Sequence, residues 1–532
     1  MKTFWKTSLM TLDDSIWPTS LATLMAEIAI DGNSLTLESA LAIAKGNATA
    51  FLPALSKEKM QHSRDAVENV VDSDEVVYGI NTGFGALSSV IIEKDELETL
   101  QTNLVRSHAC GIGERMDPEI VLLMMIIRAN SLARGVSGAR PEIVELILSM
   151  VNSRIAPIVP RIGSLGASGD LAPLSHMTLG MMGEGECQQF MGGKWHLTDA
   201  AIALSEASLR PIKLQAKEGL SLINGTSQMC AYLTCTVLNM ETLSFAADAS
   251  IACSLEAIRG SHKPFDRRIH DSRPQIGQSI SAARISELVS NSEIMLSHVD
   301  CERVQDAYCF RCSPQVHGPV IDLLREVRRM LEIEINSATD NPLVFVGDDG
   351  SAEIISGGNF HGQNLSLASD SIAIACHELA SISERRINQL MDPNWSGQEA
   401  FLAKNEGLES GLMIVQYVAA AVIAELHLLA NPASTSNVPV SMGKEDHASM
   451  GATGSYRALK SSILLSQVLA NEFICSTEAL DGVSESPGTG VAKVAEWVRK
   501  HVSTLDGDRS LTKECENLSM AIIDGGITSI FG

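Results

Sequence analysis

Leu365, Ala368, Ile372, Ala375, Leu379 and Ile382 recur at alternating spacings of three and four residues over nearly three heptads. That period belongs to a long α-helix packed along its length against other helices. Val320, Leu324, Val327 and Leu331 form a second such stripe, and Leu37, Ala40, Leu41 and Ala44 a short one that Lys45 and Gly46 close. Gly411 to Ala430 is apolar on most faces, which predicts a helix buried deep in a bundle or at a subunit contact. Strand signals are sparse: Leu343–Val346 and Glu353–Ser356 flank Gly347-Asp-Asp-Gly350 and read as a hairpin. No βαβ alternation, internal repeat or low-complexity segment is apparent, so a dinucleotide-binding fold is unsupported. The expected class is mainly α. Its core has to be aliphatic, because aromatic residues are 4% of the chain against 45% hydrophobic overall. At 532 residues the chain can bury such a core without disulfides or metals.

Composition also removes several functions. The formal charge is −24 and no Lys/Arg run exceeds a pair, which argues against a nucleic-acid partner. The first twenty residues lack a continuous apolar core, and Gly411–Ala424 is too short and too polar to span a bilayer. Eleven scattered cysteines then fit free thiols in a reducing cytoplasm. Cys309-Phe-Arg-Cys312 is a lone CxxC with no second pair, so no metal site is expected. Residues 1–28 read as an N-terminal extension, 29–225 as one domain and 226–532 as a helical-bundle domain.

Glycine clusters in three places, Tyr78–Gly85, Gly163–Gly169 and Gly357–Gly362, which predicts local geometry there that only glycine permits. The middle one runs Gly163-Ser-Leu-Gly-Ala-Ser-Gly-Asp-Leu-Ala-Pro-Leu-Ser-His176. It is not a phosphate loop, since no Gly-Lys-Ser/Thr follows, and it misses the G-x-S-x-G nucleophile elbow by one residue. Two readings stay open: a tight turn capped by Asp170 ahead of a helix, or a tripeptide that cyclises on itself. In the second, the Gly169 nitrogen attacks the Ala167 carbonyl. Loss of two waters, one of them carrying the Ser168 hydroxyl, leaves an electrophilic exocyclic methylene.

This segment resembles the signature of the aromatic amino acid ammonia-lyases and aminomutases, whose prosthetic group, 4-methylideneimidazole-5-one (MIO), forms from Ala-Ser-Gly. Further motifs follow in that family's order: Tyr78-Gly-Ile-Asn-Thr-Gly-Phe-Gly85, Asn103-Leu-Val-Arg-Ser-His-Ala-Cys-Gly111, Leu222-Ile-Asn-Gly-Thr226, Gln305–Gln315, Gly357–Gly362 and Glu445-Asp-His-Ala-Ser-Met450. The resemblance covers residue 30 to the last helices. It implies an elongated central helical bundle of the fumarase/aspartase-like superfamily, with a smaller mixed N-terminal region bearing the MIO. It also implies a homotetramer with active sites shared between subunits, and no external cofactor.

Carried over residue by residue, the resemblance makes Tyr78 the base that takes the β-proton, on a loop whose Gly79, Gly83 and Gly85 permit closure. Phenols ionise at about pH 10, so such a base needs positive potential, which the family draws from helix N-termini. Ala167, Ser168 and Gly169 supply the MIO. Asn224 bonds the MIO carbonyl or the substrate, and Tyr308 joins the catalytic set. Arg311 grips the substrate carboxylate through its planar fork. Tyr308 and Gln305 lie three and six residues before it, on one face if the segment is helical. Phe360 packs against the ring system. Ser107-His108, Met413 and Glu445 resemble the histidine branch: a carboxylate suits an imidazole with N–H donors and not a phenyl ring. Lys444 and Gln363 depart from that branch, which commonly carries Gln and Glu there. The implied reaction is L-histidine to trans-urocanate and ammonia. A tyrosine or phenylalanine lyase or aminomutase is the alternative within the family, and a helical scaffold whose triad never cyclises the alternative outside it. Of five tyrosines, Tyr232, Tyr417 and Tyr456 fall outside every motif.

Overall fold

The computed structural model describes residues 26–73, 76–83, 90–298, 304–347 and 349–531. Residues 1–25 of the expected extension, and Gly85 of the tyrosine loop, lie outside the described residues. The remainder of that extension is already structured: β1 (Ala26–Ala29) pairs in parallel with β2 (Ala48–Phe51) across α1 (Leu37–Ala44). Thr36 caps α1 and exchanges bonds with Ser39, and Gly46 follows the helix at φ +77°. This small parallel unit corrects the expectation of no βαβ connection. Its four-residue strands are too short to register as a pattern, and it carries no phosphate loop.

The elements that build the site follow. They are α2 (Leu97–His108), β3 (Ile112–Arg115), α3 (Pro118–Ala133), β4 (Pro160–Ile162), α4 (Leu171–Met181), α5 (Glu218–Ile223), α6 (Ser227–Ala257), α7 (Tyr308–Arg311) and α8 (Ser313–Glu334). After the expected hairpin of β5 (Leu343–Val346) and β6 (Ala352–Ile355) come α9 (Gln363–Met391), α10 (Met413–Leu429) and α11 (Gly451–Asp481). The architecture is mainly α, with strands confined to small sheets.

Three long helices, α6, α9 and α11, pack along one another and form the centre of the bundle. The α9 stripe is buried from Leu365 to Leu379, with Ile382 at its margin, and the α8 stripe is buried throughout. A fully buried ion pair ties the three together. Glu472 of α11 accepts from Arg386 Nε at 2.5 Å and Nη2 at 2.8 Å on α9. It also accepts from Ser383 of α9 and from Ser250 and Ser254 of α6. Every oxygen lone pair directed inward thus finds a donor, which is what makes a carboxylate tolerable there.

Two of the unassigned tyrosines prove structural. Tyr232 of α6 and Tyr456 of α11 meet edge-to-face at 5.7 Å, and the Arg161 guanidinium of β4 lies 4.2 Å over the Tyr456 ring. The helix expected over 411–430 is present as α10, but it is not deep in the bundle. Only Val415, Ala419 and Leu426 are buried, while Ile414, Tyr417, Val418 and Leu428 are at least 49% exposed. It packs on α9 and α11 through a narrow stripe, with Val422 and Ile423 partly covered, and the described residues leave much of its remaining apolar surface bare. No helix among the described residues is long and apolar enough to cross a membrane.

Candidate active site

The segment Gly163–Asp170 crosses from β4 to α4 through backbone that only glycine adopts easily, with Gly166 at φ +66° and Gly169 at φ +74°. Three other segments grip it. The Leu165 carbonyl accepts from Met450 N at 2.8 Å, and the Gly166 carbonyl from Gly362 N at 3.2 Å and Ser449 Oγ at 2.9 Å. These donors stand at the N-terminal ends of α9 and α11. Gly169 forms a parallel bridge with Gly225, and Asp170 N donates to the Gly225 carbonyl at 2.7 Å.

Asp170 occupies the N-cap position of α4, as the turn reading expected, but its side chain caps a different helix. Oδ2 accepts from Gln228 N at 2.8 Å and Met229 N at 3.1 Å, in the first turn of α6, while Oδ1 accepts from Ser164 Oγ at 2.8 Å. Complete burial pushes this carboxyl up to about 6, against those bonds and the nearby Arg128 charge.

Ser168 is half-buried and faces a cavity of about 590 Å³. Tyr78, His108, Asn224, Phe360 and Glu445 line the same cavity, so the structure brings six of the expected site residues together. Asn224 leaves the end of α5 in extended conformation and donates from Nδ2 to the Ser168 carbonyl at 2.6 Å. Gly79 lets the tyrosine loop lie on Leu220 and Pro342: a Cβ there would stand 2.8 Å from Pro342 Cδ. The α4 N-terminus opens onto the cavity at Leu171, presenting the positive end of a helix dipole to it.

His108 ends α2, and its Nδ1 lies 2.8 Å from the Leu104 carbonyl oxygen. A carbonyl oxygen only accepts, so Nδ1 carries the proton and Nε2 is left as an acceptor. Ser107 Oγ donates to the same carbonyl at 3.0 Å and steadies the ring.

The triad meets the needs of a ring built from Ala167, Ser168 and Gly169. A Cβ on Gly169 would stand 2.5 Å from Gly225 N and 2.7 Å from its carbonyl carbon, with the oxygen nearer still. The Ser168 carbonyl that such a ring retains already has its donor in Asn224. Among the described residues no three His, Cys, Asp or Glu side chains are grouped to hold a metal ion.

Besides Ala167 and Gly169, which flank Ser168 without lining the cavity, four expected residues lie away from it: Gln305, Tyr308, Arg311 and Met413. Tyr308 is 70% exposed on the four-residue α7, and the Arg311 guanidinium stacks 4.3 Å over its ring. The three-in-a-row expectation fails for Gln305, because Ala307 is extended at ψ 156° and starts the helix after it. Arg311 Nε is buried without a hydrogen-bond partner. Met413 opens α10, and Gln363 opens α9 with its Oε1 unpartnered. Conversely, Asn103, Asn341 and Ser441 line the cavity although no role had been assigned to them. Asn103 lies inside one of the motifs; Asn341 sits on a loop and Ser441 opens a single 3-10 turn, neither with a periodic signal.

Residues 35–500 match the family described as aromatic amino acid lyase. The chain is 46% identical to histidine ammonia-lyase of Myxococcus xanthus over 500 residues, covering 94% of this chain and 97% of that protein. Identity to the Stigmatella aurantiaca histidine ammonia-lyase is 45%, with 93% and 96% covered. Among solved structures, histidine ammonia-lyase from Trypanosoma cruzi superposes with a TM-score of 0.86 at 35% identity, covering 95% of each chain. Tyrosine aminomutase from Streptomyces globisporus gives 0.88 at 34%, covering 95% of this chain and 98% of that one.

Proposed function

Because the chain belongs to the aromatic amino acid lyase family and is a carbon–nitrogen lyase, we propose that it eliminates ammonia from L-histidine to give trans-urocanate. The observation that carries this reading is the pair of acceptors on the cavity wall, the Glu445 carboxylate and His108 Nε2. An imidazole offers an N–H donor to one of them when neutral and to each of them as imidazolium. A phenyl ring would leave a half-buried carboxylate without a partner, at a cost of about 1–3 kcal/mol on mutational scales.

When closed into MIO, Ala167–Ser168–Gly169 supplies an electrophilic methylene that turns the substrate amine into a leaving group. The remaining work falls to side chains. Tyr78, which lines the same cavity, accepts the β-proton at its phenolic oxygen. Asn224 holds the Ser168 carbonyl and so fixes the plane in which the triad lies. Phe360 and Leu171 pack beside it and exclude water.

The substrate carboxylate needs a cation, and no Lys or Arg among the described residues lines the cavity of one chain. We assign that task to Arg311, with Tyr308, Gln305 and Met413, reaching the cavity from neighbouring subunits of a cytoplasmic homotetramer. Support comes from the exposure of Tyr308, from the unpartnered Arg311 Nε and from the bare apolar face of α10.

A substrate panel tests the reading. Incubation with histidine, tyrosine and phenylalanine, followed by the ultraviolet absorbance of each acrylate, is expected to show turnover of histidine. Turnover of tyrosine or phenylalanine without histidine would sink it. Intact mass tests the triad independently: the purified chain is expected to lack two waters, and Ser168→Ala to keep its full mass and lose turnover.

A further inference from the structure

A buried cation behind the triad takes no part in the chemistry above. Arg128 sits in the interior of α3 with none of its surface exposed. Its Nη2 donates to the Ser221 carbonyl, and Nη1 reaches Thr339 Oγ1 at 3.4 Å. Nε has no hydrogen-bond partner. Burial pulls the guanidinium down to about 10, so it remains charged at neutral pH. The neighbouring carboxylate, Asp340, is already served by Lys217 Nζ at 3.2 Å and Ser137 Oγ at 2.8 Å. Arg128 is therefore not needed to neutralise it. Its neighbours in α3, such as Met124, Met125 and Leu132, show that aliphatic side chains fill this layer, and a buried guanidinium is costly unless its bonds compensate.

What Arg128 does touch leads straight to the triad. Ser221 belongs to the last turn of α5, whose carbonyls lack intrahelical partners. Three residues on, Asn224 holds Ser168. Gly225 packs directly on the guanidinium: a Cβ there would stand 2.8 Å from Thr339 Oγ1 and 3.2 Å from Arg128 Cζ, and nearer still to Nη1. Gly225 is also bridged to Gly169, where a Cβ again has no room. Arg128 thus abuts Gly225 and Gly225 abuts Gly169, each approach without room for a methyl group.

We propose that Arg128 is a positioning residue for maturation of the triad: by clamping the end of α5 and backing Gly225, it holds Gly225 against Gly169 and Asn224 against Ser168. The proposal rests on the reading of Ala167–Ser168–Gly169 as the MIO precursor. In that maturation the Gly169 nitrogen bonds to the Ala167 carbonyl carbon. The first water carries away the Ala167 oxygen with the protons of Gly169 N and Ser168 N. The second carries the Ser168 hydroxyl with the Ser168 Cα proton, and no oxidant is needed.

The test is intact mass against time on freshly purified full-length Arg128→Met, Arg128→Lys and Thr339→Val, with oligomer size and thermal unfolding measured alongside. Arg128→Met is expected to assemble but to lose its two waters about tenfold more slowly or worse, the scale of a lost charge-assisted bond. Turnover counted per matured chain is expected to be retained, a separation that a general loss of structure does not produce. Arg128→Lys, which keeps the charge but reaches fewer acceptors, is expected to fall between. Arg128→Met chains that mature as fast as wild type overturn the proposal. Should Arg128→Met yield no soluble protein, wild-type maturation in both Arg128→Lys and Thr339→Val overturns it instead. A wild-type chain that itself keeps both waters overturns the MIO reading, which separates that failure from this one.

Discussion

Replacing Gly169 by alanine tests the tightest contact in the site. The new methyl would stand 2.5 Å from Gly225 N and 2.7 Å from its carbonyl carbon, where carbon contacts normally settle at about 3.5–4.0 Å. Both obstacles are backbone, so no side chain can swing aside, and the two segments must part by roughly 1 Å. The Asp170 N–H to Gly225 carbonyl bond, now 2.7 Å, then stretches past hydrogen-bonding range. Three costs follow. Left-handed backbone at φ +74° costs alanine roughly 1–2 kcal/mol. Overpacking adds about 1–3 kcal/mol, and an unpaired buried N–H about 1–3 kcal/mol. Together they come to roughly 3–8 kcal/mol, a large part of the ~5–15 kcal/mol by which folded domains are stable. Thermal unfolding at fixed protein concentration, with intact mass on the same sample, reads the outcome. A strongly lowered unfolding temperature or little soluble protein is expected, with any soluble chain retaining both waters. A Gly169→Ala chain that unfolds where wild type does refutes the close-approach argument.

Glu445→Gln replaces a charged acceptor by a neutral one. The expected loss is about 1–1.5 kcal/mol, close to tenfold in kcat/KM for histidine; steady-state kinetics that leave the value unchanged would remove Glu445 from the imidazole contact. Glu472→Ala strands the buried Arg386 charge and is expected to cost about 3–5 kcal/mol, whereas Glu472→Leu with Arg386→Met recovers most of it. Thermal unfolding of the two variants checks this, and equal damage in both would contradict it. His176 accepts from Gly111 N at 3.1 Å through Nε2, and burial lowers its pKa from 6.5. Since the folded state favours the neutral ring, its contribution is present above 6.5 and drains away as pH falls from there toward the depressed folded value. The stability advantage of wild type over His176→Phe is therefore expected to shrink between about pH 7 and pH 5; an advantage that grows on acidification refutes the assigned hydrogen bond.

Periodicity made the bundle legible, because burial along α8 and α9 writes a repeat that no turn or loop reproduces. The triad was legible for another reason: consecutive small residues ending in Gly169 have few physical justifications. Patterns that depend on what lies across space were not readable. The apolar length of α10 looked the same whether its cover was this chain or another, and only the exposure of Ile414 and Leu428 distinguishes the cases. Gln305 was grouped with Tyr308 by helical spacing, and a single extended residue, Ala307, broke the phase. Arg128 belongs to no motif, and only the approach of Gly225 to its guanidinium marks it. The four-residue strands β1 and β2 carry too few positions for alternation to register.

The carbonyls of Leu165 and Gly166 are held from positions 362, 449 and 450, and Asp170 is held from 228 and 229. The loop therefore has no geometry of its own to fall back on while the chain is incomplete. Its final shape waits for α6, α9 and α11 to meet, the last of them formed from residues nearly three hundred positions downstream. Ring closure at Ala167–Ser168–Gly169 would thus work as a covalent timestamp, written once and only after the distant helices have docked. A chain truncated before Ser449, or trapped with α11 undocked, is expected to keep the mass it was translated with. The two missing waters would then record, molecule by molecule, which chains completed their assembly.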